Sequence, residues 1–384
     1  MSGYRRMRIG FGATLLQGEG ADPRLDGIGN YARELATAFA LRDDVTPIPV
    51  VVGARAARAA RKGNADALVL PQGAFLGTAV SWATGADALG ARGLAEHVDV
   101  FHATDYMIPR LRRTPVCATL FDAIPLSHPE WANPRLRALK NMGMRQSARW
   151  ADRVIAISQA MVPELIEHYG IDGERIAVTP LGVDDRWFTV ESVPRIAEVR
   201  ARHGLAPGYL LFVGTLQPRK NVERIIAAYL RLPAHQQAER QLVIAGKAGW
   251  RADDLVATLR EVSAAGRVRW LDYVATDDMR GLYQGAAAFV FPSLYEGFGL
   301  PVLEAFASGV PVVTSTTTSL PEVAGDAALL VDPTDIDAIT GAMSSLIGDL
   351  HLAEGLRAAG RARARQFTWA RCAAETVAVL RSIL

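Results

Sequence analysis

Only two cysteines, Cys117 and Cys372, stand in 384 residues. Their distance in sequence argues against a disulfide framework, and two thiols leave no set of soft metal ligands. Both read as small core residues. No uninterrupted apolar run approaches the ~18 to 20 residues that a membrane-spanning helix needs. The start, Met1-Ser2-Gly3-Tyr4-Arg5-Arg6-Met7-Arg8, is basic but has no signal-peptide apolar core behind it, so the chain is expected in the cytoplasm. No tight G-x-G-x-x-G turn follows the first strand-like run, which disfavours a Rossmann dehydrogenase. No Asp-x-Asp ends a strand in a metal-ligating context. The carboxylate pairs Asp43-Asp44, Asp184-Asp185, Asp253-Asp254 and Asp277-Asp278 read as helix starts or turns, and nothing calls for a metal. Heptads, low-complexity tracts and short-period repeats are also missing.

What is present is a chain half apolar and a fifth charged, the composition of a globular enzyme, and long enough for two domains of roughly 180 residues. Apolar runs alternate with longer amphipathic stretches, the signature of βαβ units and parallel sheets. The first half offers strands at 7–13, 46–52, 98–103, 116–121, 154–158 and 176–179. The second offers 209–214, 241–246, 268–271, 288–291, 310–314 and 328–331. The fold class is α/β, with a Rossmann-like sheet in each half and a seam after Leu181-Gly182-Val183-Asp184, placed at residues 1–188 and 189–366. Phe367-Thr368-Trp369 and the residues to Leu384 read as a last helix, with Thr368 at its N-cap.

The most informative stretch is Glu296-Gly297-Phe298-Gly299-Leu300-Pro301-Val302-Leu303-Glu304. A buried-strand run precedes it and a helix follows. Gly297 and Gly299 lack the Cβ atoms that would keep a ligand off the backbone, and Pro301 fits the first helical turn. Amides pointing out of that helix start favour an anion. Carboxylates on either side would repel a phosphate and are better suited to accept hydrogen bonds from hydroxyls flanking a diphosphate, as in a nucleotide sugar. A second cluster, Gly214-Thr215-Leu216-Gln217-Pro218-Arg219-Lys220-Asn221, follows a strand and puts paired cations at the carboxyl edge of the sheet. Cations at a helix start oppose the helix dipole unless an anion is present.

The segment Glu296 to Glu304 resembles the E-x7-E motif of retaining glycosyltransferases of family 4, which have the two-domain GT-B fold. The resemblance implies two Rossmann-like domains facing across a cleft, with the final helix, 367–384, crossing back onto the first. It implies that Glu296 contacts hydroxyls of the transferred hexose and that Glu304 holds the ribose. Gly297, Phe298, Gly299 and Leu300 would add backbone contacts, and Tyr273 and Val274 would seat the base. Arg219 and Lys220 would stabilise the charge growing on the departing diphosphate, one as a fork and one as a point charge. The run Leu25-Asp26-Gly27-Ile28-Gly29-Asn30 resembles the family's glycine-rich first loop, with Gly27 close to diphosphate and acceptor. The run Thr119-Leu120-Phe121-Asp122 departs from the family pattern, which carries His at the position of Phe121. Asp122 remains, and His102, ending a neighbouring strand, stands as the other candidate on that wall.

The implied reaction is hexosyl transfer to a hydroxyl of a glycan or lipid-linked acceptor, with retention and without metal or cofactor beyond the nucleotide sugar. Similarity to mannosyltransferases of bacterial surface polysaccharide assembly makes GDP-mannose the first donor and a UDP-hexose the second. A nucleotide-sugar epimerase and a non-catalytic GT-B subunit remain open alternatives. The near balance of 42 Lys and Arg against 40 Asp and Glu and the lack of interleaved aromatics argue against nucleic acid. Between Arg110 and Arg153 lie Arg112, Arg113, Arg135, Arg137, Lys140, Arg145 and Arg149 against only Asp122, Glu130 and Asp152. That patch, like Arg55, Arg58, Arg61 and Lys62, suits peripheral contact with an anionic membrane or a solvated helix face.

Overall fold

The computed structural model describes residues 5–16, 27–53, 67–71, 74–106, 108–131, 136–264 and 266–384. Leu25, Asp26, Arg55, Arg58, Arg61, Lys62 and Arg135 lie outside the described residues. The chain divides into two compact units, Met1–Gly182 with Trp369–Leu384, and Val183–Thr368.

The first unit holds β1 (Met7–Gly12), β2 (Val45–Val52), β3 (Leu68–Leu70), β4 (Val100–Ala103), β5 (Val116–Leu120), β6 (Arg153–Ala156) and β7 (Ile176–Val178). They form a parallel sheet in the order β3-β2-β1-β4-β5-β6-β7. The central strands β4 and β5 are buried at every residue, because helices cover both faces of a parallel sheet. This is why they read in the sequence as unbroken apolar runs. Helix Trp369–Arg381 packs on helix Gly27–Ala40 and on β6. The Trp369 and Tyr31 rings lie 6.1 Å apart, and Arg381 pairs with Asp44 at 2.7 Å.

The second unit holds β8 (Tyr209–Val213), β9 (Leu242–Ala245), β10 (Val268–Leu271), β11 (Ala286–Phe291), β12 (Val312–Ser315) and β13 (Leu329–Val331). These too are parallel, in the order β10-β9-β8-β11-β12-β13. In both units the strand order reverses once, between β1 and β4 and between β8 and β11. Such a reversal opens a crevice at the carboxyl ends of the two flanking strands, where open α/β sheets bind ligands. The sequence places the divide at residue 188, whereas the turn Asp185–Phe188 groups with the second unit. The reason is packing: Trp187 is buried edge-on against Tyr283, ring centres 5.2 Å apart. Phe367 stays there as well, its carbonyl accepting from the Val183 amide at 3.0 Å.

Candidate active site

Three neighbouring strands of the second unit, β8, β11 and β12, end at one edge of the sheet. Each contributes a loop. After β8 the chain makes a tight turn over Pro218–Lys220 and enters helix Val222–Leu230 through Asn221, whose backbone is left-handed at φ 62°. Asn is among the few residues that tolerate this conformation. Its buried side chain donates from Nδ2 to the carbonyls of Pro292 (2.9 Å) and Pro333 (2.7 Å), tying the β8 loop to those after β11 and β13. The paired cations are thereby fixed beside the β11 loop.

There Glu296 bridges both of them. Its Oε1 accepts from Lys220 Nζ at 2.6 Å and its Oε2 from Arg219 Nη1 at 2.9 Å. Arg219 Nη1 also donates to the Tyr295 carbonyl, and its Nε donates to Gln217. Lys220 and Glu296 are both buried, and the ammonium sits 4.7 Å from the centre of the Phe291 ring, within cation–π range. Burial pulls the Lys220 pKa down to about 8, with Glu296 pulling the other way. Burial works to raise that of Glu296, yet the two cations outweigh it and hold the carboxyl below its ordinary range. The anion that cations at a helix start require is thus supplied by Glu296.

The third loop, after β12, clamps the second. Thr318 Oγ1 accepts from the Glu296 amide at 3.1 Å, and Ser319 Oγ bonds to the carbonyls of Glu296 (2.9 Å) and Phe298 (2.7 Å). The sequence marks Thr318 and Ser319 as part of a polar loop after a strand and Asn221 as the end of the cation cluster, without disclosing that they tie the loops together. Gly299 opens helix Leu300–Ala307 at φ +118°, where an added Cβ would fall 2.7 Å from Leu320. Gly297 and Leu300 are partly exposed. Phe298 is buried, with its ring edge-on to Phe367 at 5.9 Å. Any ligand contact from Phe298 therefore falls to its backbone.

Glu304, one turn into that helix, is partly buried and accepts from Tyr283 Oη at 3.1 Å. Burial lifts its pKa to about 7, although the Tyr283 hydroxyl and the Arg186 charge oppose the rise. Tyr273 and Val274 follow β10 at the sheet's edge, Tyr273 exposed and Val274 half so.

In the first unit the candidates separate. Gly27 is exposed and begins helix Gly27–Ala40, and an added Cβ there meets nothing within 4 Å. Asp122 caps a turn, its Oδ1 accepting from the Ile124 amide and from Tyr106 Oη, both at 3.1 Å. Phe121 is buried, edge-on to Tyr31 at 5.0 Å. His102 differs from its expected place on a ligand-facing wall: it has no exposed surface. Its Nε2 bonds to Thr119 Oγ1 at 2.9 Å, which in turn bonds to Tyr31 Oη at 2.8 Å. Burial drops its pKa to about 3. His102 is a neutral core histidine wrapped by Phe11, Phe39 and Tyr31.

A family model described as glycosyl transferases group 1 matches residues 197–363, and one described as glycosyltransferase family 4 matches residues 25–187. The chain is 32% identical over 368 residues to the O-antigen chain mannosyltransferase B of Escherichia coli, covering 92% of this chain and 95% of that protein. It is 33% identical over 259 residues to the serotype-specific mannosyltransferase WbdA of the same species, covering 66% of this chain and 31% of that protein. Among solved structures it resembles HepE of Anabaena in complex with UDP and glucose, with a TM-score of 0.72 and 20% identity, over 98% of this chain and 100% of that one. With parallel Rossmann-like sheets in both units, the chain belongs to the family 4 glycosyltransferases of GT-B fold and is a glycosyltransferase.

Proposed function

We propose that the enzyme transfers mannose from GDP-mannose to a hydroxyl of a glycan or lipid-linked acceptor in surface polysaccharide assembly, retaining the anomeric configuration and using no metal. The observation that carries this reading is the Glu296 carboxylate held between Arg219 and Lys220 at the carboxyl ends of β8 and β11. The names of the two relatives, both mannosyltransferases, favour the sugar.

When the bond between C1 and the diphosphate oxygen breaks, its electron pair stays on that oxygen. Arg219 and Lys220 lie where they meet the growing negative charge, in a buried setting that strengthens the interaction. Glu296, relieved of part of its pairing by the diphosphate, accepts hydrogen bonds from the mannose hydroxyls. The acceptor oxygen bonds C1 from the same face, and its proton passes to the departing phosphate oxygen, so no protein base is required. Glu304 accepts from the ribose hydroxyls, and the backbone of Gly297, Gly299 and Leu300 approaches the diphosphate.

The test is a donor screen with the purified chain and a mannan-type oligosaccharide, read by GDP or UDP release and by NMR of the new anomeric centre. The expected result is an α-mannosyl product from GDP-mannose. Transfer only from a UDP-hexose defeats the donor assignment, and a β-mannosyl product defeats retention.

A further inference from the structure

Among the described residues, four that are not glycine take a left-handed backbone: Leu136, Asn221, Arg251 and Thr318, with φ between 53° and 62°. Thr318 alone of these is β-branched, and a branched Cβ crowds the backbone in that region, so its conformation is strained. It lies in the loop between β12 and helix Leu320–Ala324. The turn itself does not call for threonine. Glycine or asparagine would adopt φ 53° at less cost, and main-chain atoms close the turn, the Leu320 amide donating to the Thr317 carbonyl at 3.3 Å.

What glycine lacks is the hydroxyl. Thr318 Oγ1 accepts from the Glu296 amide at 3.1 Å, and Ser319 Oγ bonds to the Glu296 carbonyl at 2.9 Å. Both main-chain polar groups of Glu296 are therefore held by one loop. Thr317 Oγ1 secures the approach to it through the carbonyls of Ser293 (3.3 Å) and Leu294 (3.1 Å), and the Leu294 amide donates to the Arg219 carbonyl at 2.8 Å. Branching at Cβ leaves Thr318 few χ1 choices, so its oxygen stays aimed at one amide. The carboxylate beyond that amide has its two oxygens on different cations, Arg219 and Lys220. A small rotation of the Glu296 peptide would lengthen one of those contacts and carry the carboxylate off the hexose hydroxyls, and turnover depends steeply on such placement.

We propose that Thr318 is a strained positioning residue: its left-handed backbone aims the hydroxyl that fixes the Glu296 peptide, and through it the carboxylate, for the transferred sugar. The inference rests on the reading of Glu296 as the carboxylate that meets the hexose.

The test compares Thr318→Gly, Thr318→Ser and Thr318→Val in the full chain. Thr318→Gly removes hydroxyl and strain together. Its Tm should stay within about 3 °C of wild type, since relief of strain offsets the lost hydrogen bond. Its kcat should fall by about tenfold to a hundredfold, while GDP affinity, measured by calorimetry, changes by less than about twofold. Thr318→Ser restores the acceptor and should recover kcat to within about threefold of wild type. Thr318→Val keeps the branch without the acceptor, so it should lose turnover as glycine does and also melt lower. With isotope-labelled glutamate carboxyls, the Glu296 NMR signal, assigned by its absence in Glu296→Gln, should titrate at higher pH in Thr318→Gly, because a displaced carboxylate loses part of its cations. A purely structural Thr318 would lower Tm in the glycine variant and leave kcat and the Glu296 titration as in wild type. That result, equal losses in kcat and GDP affinity, or no recovery with serine overturns the proposal. If the wild-type chain turns over no nucleotide sugar, the sugar-transfer reading fails, and the Glu296 titration still decides whether Thr318 places the carboxylate.

Discussion

A buried ammonium needs a counter-charge, and for Lys220 that charge is Glu296. With the carboxylate present the Lys220 pKa is about 8, so the cation persists at neutral pH. Glu296→Gln removes the negative charge while keeping the shape, and the Lys220 pKa must then fall further, since burial acts unopposed. Turnover should drop by about a hundredfold or more, because the hexose meets a neutral amide oxygen in place of a carboxylate and the diphosphate loses a cation. Part of the loss should return as pH is lowered from about 8 to 6, where Lys220 regains its proton. A pH profile of kcat checks this; a residual activity that does not rise on acidification contradicts the counter-charge role. Nucleotide affinity should change less than kcat in this variant, whereas Glu304→Ala should chiefly weaken nucleotide binding, as calorimetry with GDP would measure.

Glu304 carries the opposite shift. Its folded pKa of about 7 lies above the ordinary 4.5, so the native state holds the proton more tightly than the unfolded chain. That contribution to stability is fully present below about 4.5 and is lost as pH rises through about 7. Ribose hydroxyls donate best to the ionised carboxylate, so binding releases a proton below pH 7. GDP affinity should therefore rise between about pH 6 and 8 by more in the wild type than in Glu304→Gln. Tyr283→Phe deletes the hydroxyl that lowers this pKa and should move the rise to higher pH. Identical pH dependence in wild type and Glu304→Gln, measured by calorimetry, would refute the assignment.

At the scale of elements, the site is a meeting of three loops, and its stability rests on residues that touch no ligand. Gly246 ends β9 where an added Cβ would lie 1.9 Å from the Gly214 carbonyl oxygen, so Gly246→Ala forces the β8 and β9 ends apart. Asn221→Ala strands two carbonyls and puts alanine in a left-handed conformation. The two losses sum to about 3 kcal/mol, which in a unit of this size lowers Tm by about 6 to 12 °C. A melting temperature within a degree or so of wild type would show that Asn221 does not hold the loops. The sequence disclosed this level unevenly. Twelve of the thirteen strands among the described residues were legible because buried parallel strands are continuous apolar runs; β3 was missed, although the equally short edge strands β7 and β13 were read. Glu296, Arg219 and Lys220 were legible as strand-end residues with helices behind them. Their mutual pairing was not, since it joins positions 76 and 77 residues apart in sequence. His102 misled for a similar reason. A histidine ending a strand looks the same whether it faces a ligand or the core, and what encloses it here is the distant helix Gly27–Ala40.

For the whole molecule the outstanding question is how the charge of a departing diphosphate is balanced. Two means are available in chemistry of this kind: a divalent cation held by carboxylates, or fixed protein cations. In this structure Glu296 is engaged by Arg219 and Lys220, and Glu304 accepts from Tyr283. If the cations suffice, transfer in excess EDTA should stay within about twofold of its rate in magnesium. Arg219→Ala and Lys220→Ala should each lower kcat by about a hundredfold or more, with no recovery on adding magnesium. Rates measured with chelator, then with single metals restored, separate the two designs. Abolition by EDTA with rescue by one metal would mean that the guanidinium and ammonium only assist an ion, and the mechanism would have to be rebuilt around it.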